Sequence, residues 1–302
     1  DTLSYGAATL SFALKNLQGP VVVTGSQRSS DRPSSDSFQN LMDSTFTAAT
    51  GDFAEVVVCM HGSSDDQYSY LHRGTWVRKM HSSRRDAFQS ITGPPIGRVN
   101  FRERKIEFSS SLAPIPERIE RRQKKGKRID SPRSEVIVDM AFEPKVGLVY
   151  TYPGIQPDII ELYAEKGYRG LVLAGTGLGQ VPEQLLSPLR FAISNGGMTI
   201  VMTTQTLHGF VGMNVYERGR ELLAMGILPG ANLLPETAFV KLSFVLGHQE
   251  DNDPAKIAEM FQKDLVGESQ NVERYFQYPG TPYQQIKPKA KTNSIAMTDS
   301  DD

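Results

Sequence analysis

With a single cysteine, Cys59, in 302 residues, the chain cannot form an internal disulfide, which fits a reducing, cytoplasmic setting. No apolar run approaches the roughly 18 residues that a spanning helix needs, and no secretory pattern opens the chain. It opens on Asp1 rather than Met, so its true beginning, and with it part of a first domain, is expected to be missing. Charge of neither sign dominates: 33 Lys and Arg stand against 34 Asp and Glu. No global field therefore recruits nucleic acid or membrane, and such contact would need a local patch. The histidines, His61, His72, His81, His208 and His248, form no i, i+4 pair and no other metal-ligand spacing. They are expected to be ordinary loop residues, and no metal is expected. The absence of a G-x-S-x-G elbow disfavours a standard α/β-hydrolase, and no internal repeat is visible.

What is present is the composition of a soluble globular protein, 39% hydrophobic and 22% charged, with length enough for two domains. Short β-branched runs alternate with amphipathic stretches. Val21–Val23 and Glu55–Met60 have the pattern of buried strands, and between them residues 35–50 carry Phe38, Leu41, Met42, Phe46 and Ala49 at helical spacing. Ser and Asp residues at the start of that helix are expected to cap it. Strand–helix–strand units of this kind predict an α/β fold with parallel sheets. The rhythm breaks across residues 109–145, where Pro114, Pro116, Pro132 and the basic run 121–128 predict an inter-domain connection. A second α/β run follows over 146–286. Its strands are predicted at 146–150, 171–174 and 198–203, and its helices at 157–166, 182–194, 235–246 and 254–265. Residues 1–108 form what remains of the first domain, and the polar stretch 287–302 is expected to be a disordered tail.

Several features invite chemistry and have plainer accounts. Gly175-Thr176-Gly177-Leu178-Gly179 sits between a strand and a helix. Its spacing is G-x-G-x-G, with no acidic ribose contact about 20 positions on, so a tight turn explains it better than a dinucleotide loop. Cys59 lies inside an apolar strand, where a thiol is an inert small hydrophobe. The basic run 121–128 is either a solvated face or a phosphate contact. Two segments stand out: Asp1–Tyr5 followed by Val21–Asp36, and VRKMHSSRRDAFQS from Val77 to Ser90. As plain structure these are a helix start, a strand with a Ser-rich loop, and a basic hairpin end.

The same segments resemble the asparaginase/glutaminase superfamily. Asp1-Thr2 resembles the end of its His-Gly-Thr-Asp-Thr motif, Thr24-Gly25-Ser26 its Thr-Gly-Ala/Ser turn, and Val77–Ser83 with Asp86–Ser90 the segment carrying its catalytic lysine. Residues 170–182, 203–222 and 234–247 are similar to its archaeal tRNA-dependent amidotransferase branch more than to free-standing asparaginases. The resemblance covers nearly the whole chain up to the polar tail. It implies two α/β domains, each with a largely parallel sheet, and a site at the carboxyl ends of the first-domain strands. A homodimer core is implied too, because a neighbouring C-terminal domain closes the pocket.

The implied chemistry is attack by a Thr hydroxyl on the side-chain amide of glutamine or asparagine, giving an acyl-enzyme and ammonia. Such a hydroxyl needs a base, and a lysine serves when a dry site favours its neutral form. By resemblance Lys79 is that lysine, Asp1 is the carboxylate that orients it, and Ser26 and Gln27 line the substrate pocket. The family's Thr-Gly-Gly-Thr-Ile motif does not occur here, and the threonine that precedes the motif's Asp would come before Asp1. Both threonines are therefore expected outside these residues, and the chain alone is expected to be inactive. No cofactor is implied in this chain. ATP and Mg belong to the complex, on a partner subunit of the E type, which would also make most contact with Glu-tRNA(Gln). A free-standing L-asparaginase and an inactive binding module of the same fold remain as alternatives.

Overall fold

The apolar runs become strands because helices cover them. The computed structural model describes residues 1–109 and 135–269. In the first unit, helix α1 (Leu3–Ala13) leads through β1 (Leu14–Lys15) to β2 (Val21–Val23), and helix α2 (Ser37–Thr50) leads to β3 (Val56–His61). The chain continues through β4 (Ser69–Arg73), β5 (Val77–Lys79), β6 (Phe88–Ser90), β7 (Gly97–Asn100) and β8 (Lys105–Phe108). Strand β3 is wholly buried, and its side chains divide by the two-residue period of a strand. Val56, Val58 and Met60 join the cluster with Ala7, Val77 and Phe88, whereas Val57 and Cys59 pack with Phe53, Leu71 and Ile96.

The main sheet of this unit runs β2-β3-β4-β7-β8. Only the β2–β3 pair is parallel among its described strands, and the other three pairs are antiparallel. The expectation of a largely parallel sheet is corrected for this unit: after β3 no helix runs between its described strands, so the crossovers that parallel neighbours use are absent from this stretch. Strand β2 is also half-buried rather than buried, because it lies at the sheet edge. Strands β5 and β6 pair antiparallel as a separate hairpin, from Val77↔Ser90 to Lys79↔Phe88.

The second unit has the parallel sheet that its sequence predicts. Strands β10 (Val146–Tyr150), β11 (Gly170–Gly175), β12 (Thr199–Thr204) and β13 (Leu228–Pro229) lie side by side in that order, all parallel. Between them run α3 (Asp158–Glu165), a 3-10 turn (Glu183–Leu185) continuing into α4 (Leu186–Ser194), and α5 (Glu217–Ala224). Helices α6 (Pro235–Gly247) and α7 (Pro254–Gln262) follow. One face packs Leu171, Leu173, Ile200 and Met202 with Leu185, Leu189 and Ala192, and the other packs Val172 and Val201 with Ala238, Leu242 and Phe261. Gly170 lets α6 approach β11, since a Cβ there would lie 2.6 Å from Leu246 Cδ1. The 175–179 glycines form the expected tight turn: Gly177 and Gly179 have φ of 52° and 93°, and Thr176 N donates to Gln180 O at 2.9 Å.

The two units pack directly. Ala8 and Phe12 of α1 meet Val240 and Phe244 of α6, and Thr237 Oγ1 donates to Thr75 O at 2.6 Å. Strand β9 (Ile137–Val138) pairs antiparallel with β1. A buried ion pair joins Lys241 to Glu268 at 2.6 Å, and Trp76 Nε1 donates to Glu268 O at 3.2 Å. Most of the expected connection at 109–145, with its basic run 121–128, and the expected tail at 287–302 lie outside the described residues.

Candidate active site

Asp1 stands just ahead of α1 and Lys79 closes β5, so two separate elements must dock before these residues meet. The docking brings them together: Lys79 Nζ donates to Asp1 Oδ1, with Asp1 exposed and Lys79 largely covered. The buried Phe88 ring, opposite Lys79 in the hairpin, lies 5.9 Å from the ammonium. Asp1, Lys79, Met80, His81 and Ser82 line an open depression of about 370 Å³. His81 Nδ1 accepts from Ser83 N at 3.1 Å and Arg84 N at 3.0 Å, so in its neutral form its proton sits on Nε2. A larger concavity of about 480 Å³ lies over β7 and β8, where Arg98 and Lys105 both pair with the Glu107 carboxylate.

The structure places Ser26 and Gln27 on the turn after β2, not among the residues lining the depression. That turn borders the start of α1, since a Cβ on Gly25 would lie 3.7 Å from Leu3 Cδ1. It is held from behind. Thr24 Oγ1 donates to Cys59 O at 2.8 Å, and the wholly buried Asp36 accepts from Gln27 N and Arg28 N at 3.0 Å. Asp36, one of the residues expected to cap α2, makes no side-chain cap bond; its carboxylate is turned to the 27–28 amides instead. Asn40 Nδ2 ties Gly25 O and Asp36 Oδ2 together at 2.8 and 2.9 Å.

Sequence reasoning missed these supports, and it missed a second anchor next to Lys79. Arg78 Nε pairs with Glu236 Oε1 at 3.2 Å, and its Nη2 donates to Tyr150 OH at 3.2 Å. The strand bearing Lys79 is thereby tied to the first turn of α6. Burial first, then the Glu236 charge, raises the Tyr5 and Tyr150 hydroxyls above the usual range, so both stay protonated. The expectation of loop histidines is also corrected. His61 and His72 lie on β3 and β4, at 0% and 1% exposure, because both strands are internal to the sheet. Burial pushes His72 down to about 3 and the Cys59 thiol up to about 12. No three His, Cys, Asp or Glu side chains among the described residues are arranged to hold a metal ion.

Two family descriptions account for most of the chain. "Asparaginase, N-terminal" matches residues 1–113, and "Glutaminase/Asparaginase C-terminal domain" matches residues 145–261. The chain belongs to the asparaginase/glutaminase superfamily. Within it, the D-type subunit of the glutamyl-tRNA(Gln) amidotransferase from Methanobrevibacter smithii is 48% identical over 268 residues, covering 89% of this chain and 57% of that protein. Its counterpart from Pyrococcus horikoshii is 46% identical, covering 92% of this chain and 59% of that protein. This asparaginase-fold chain thus spans a little under 60% of the length of these curated relatives. Among solved structures, the thermostable L-asparaginase from Thermococcus kodakarensis matches with a TM-score of 0.73 at 29% identity, covering 90% of this chain and 74% of that one. L-asparaginase I from Vibrio cholerae matches with a TM-score of 0.69 at 28% identity and the same coverages.

Proposed function

We propose that this chain is the main part of the glutaminase subunit of a tRNA-dependent amidotransferase, which releases ammonia for conversion of Glu-tRNA(Gln) to Gln-tRNA(Gln). The observation that carries the reading is the Asp1–Lys79 ion pair in a chain 48% identical to the Methanobrevibacter smithii amidotransferase protein. In this reading Lys79 takes the proton of a threonine hydroxyl as it attacks the amide carbonyl, and then delivers it to the departing nitrogen. Asp1 orients the lysine and binds the substrate's α-amino group. Ser26 and Gln27 face the reacting amide from the neighbouring turn. The nucleophile is a hydroxyl outside these 302 residues, since the Thr-Gly-Gly-Thr-Ile motif does not occur in them. These residues alone are then inactive.

The released ammonia passes to a partner subunit of the E type, because free in water it would protonate and lose its nucleophilicity. That partner holds ATP and Mg and makes most contact with the tRNA, in keeping with the near-zero net charge here. Two copies of this chain form the core of the complex, in the cytoplasm. No helix among the described residues is long and apolar enough to cross a membrane. The likeness to two L-asparaginases favours a second reading, hydrolysis of free asparagine. Ammonia release by the full-length protein, with and without its partner, separates the two. Stimulation of glutamine hydrolysis by the partner and tRNA supports the amidotransferase, and rapid partner-free turnover of asparagine overturns it.

A further inference from the structure

The turn bearing Ser26 and Gln27 and the loop that follows Lys79 are joined by a relay of side chains centred on His61. On one side Asp36 holds the Gln27 and Arg28 amides, and Asn40 holds Gly25 O and Asp36. Those bonds engage the Asn40 amide nitrogen, so its Oδ1 is left as an acceptor. It lies 2.6 Å from His61 Nδ1, which must therefore be the donor. On the other side His61 Nε2 lies 3.3 Å from Asp66 Oδ1, an acceptor too, so with Nδ1 already donating this link is made by the ring with a proton on each nitrogen; Asp66 Oδ1 also takes Arg85 Nη1 at 2.6 Å. Arg85, which also donates to Ser64 O, belongs to the 81–86 loop directly after Lys79. The ring is fully buried at the end of β3, which lies between β2 and β4 in the sheet.

We propose that His61 is a positioning residue that locks the two loops bordering the candidate site into one frame. Its two ring nitrogens serve different halves of the site. Nδ1 sets the turn that presents Ser26 and Gln27, and Nε2, through Asp66 and Arg85, sets the loop behind Lys79. A histidine that merely filled space would have no such division, and this gives the test. The amide of an asparagine overlays Nδ1 and that of a glutamine overlays Nε2. His61→Asn therefore keeps the Asn40 bond and loses Asp66, whereas His61→Gln does the reverse.

The catalytic consequences rest on the reading under Proposed function, so the experiment has two arms, both on the full-length protein. Hydrogen–deuterium exchange needs no activity. His61→Asn should speed exchange in 63–66 and 81–86, and His61→Gln should speed it at the Gln27 and Arg28 amides. In the kinetic arm with glutamine, His61→Asn should lower kcat about tenfold with little change in KM, and His61→Gln should raise KM about tenfold, each the effect of one lost hydrogen bond. Arg85→Met cuts the relay at a loop and should reproduce the His61→Asn pattern even if the His61 variants fold poorly. Equal loosening of both segments in both variants, or none, overturns the proposal. A wild-type protein that releases no ammonia refutes the functional reading and leaves the exchange arm to decide the latch.

Discussion

Replacing Lys241 by alanine should destabilise the chain by about 3 kcal/mol, the lower end of the range for removing one partner of a buried ion pair. The pair lies between α6 and the 263–268 segment, with side-chain exposures of 2% and 0%. Besides Glu268, Lys241 Nζ donates to Lys263 O at 2.7 Å and sits 5.1 Å from the centre of the Phe261 ring. Glu268 keeps some support without it, since Leu265 N and Val266 N donate to its carboxylate, the latter at 2.7 Å. That support is the reason for taking the lower end. At about 2–4 °C per kcal/mol for a chain of this size, the melting temperature should fall by about 6–12 °C.

The loss should depend on pH. Burial first, and then Glu268, raise Asp264 to about 6, so its contribution is full below the unfolded value near 3.8 and lost as pH rises through about 6. Glu268 is held below its usual range although burial alone would raise it; its hydrogen bond from Asp264 and the Lys241 charge outweigh burial. Its contribution is present above its unfolded value and lost as pH falls. Without Lys241 two neighbouring acids face each other with no cation, and the deficit should shrink as acid protonates one of them. Urea unfolding read by tryptophan fluorescence is the assay, because Trp76 is the sole tryptophan and donates to Glu268 O. A loss below about 1 kcal/mol at neutral pH would refute the reasoning, since that is the worth of an exposed pair.

Two further predictions need no partner or substrate. Cys59 should resist a thiol reagent at pH 8 in the folded chain and react fully in denaturant, because burial holds it protonated up to about 12; fast modification of the folded chain would contradict its placement in β3. His72 binds no proton in the folded state until pH nears 3, whereas the unfolded chain binds one near 6.5, so its contribution is full above pH 6.5 and lost as pH falls toward 3. His72→Gln should flatten stability against pH across that window in urea titrations. An unchanged slope would mean that its buried ring already has a compensating partner.

The sequence is most legible where local pattern and burial coincide. β3, β11 and β12 stand out as apolar runs because both of their faces are covered, and α6 announces itself by Pro235-Glu236-Thr237. Strand β4 is not legible, since Ser69-Tyr70-Leu71-His72-Arg73 is polar in composition and yet mostly buried. Two of its polar side chains are satisfied across the fold, Ser69 by Asp43 and Arg73 by Glu55, and no window of sequence displays such partners. His61 looks like a strand stop for the same reason. The Asp1–Lys79 pair spans 78 positions, so only the family resemblance, and no spacing rule, points to it. Asp36 is legible as a residue at a helix start, but not in its role, because a carboxylate there serves a cap or a neighbouring loop equally well.

Lys79 acting as the base beside Asp1 is the central claim, and one substitution tests it most directly. Lys79→Ala in the full-length protein, assayed for ammonia release from glutamine with its partner and tRNA present, should lower kcat by about 10²–10⁴-fold and leave the fold intact by circular dichroism. Ammonia release within a few fold of wild type would contradict it.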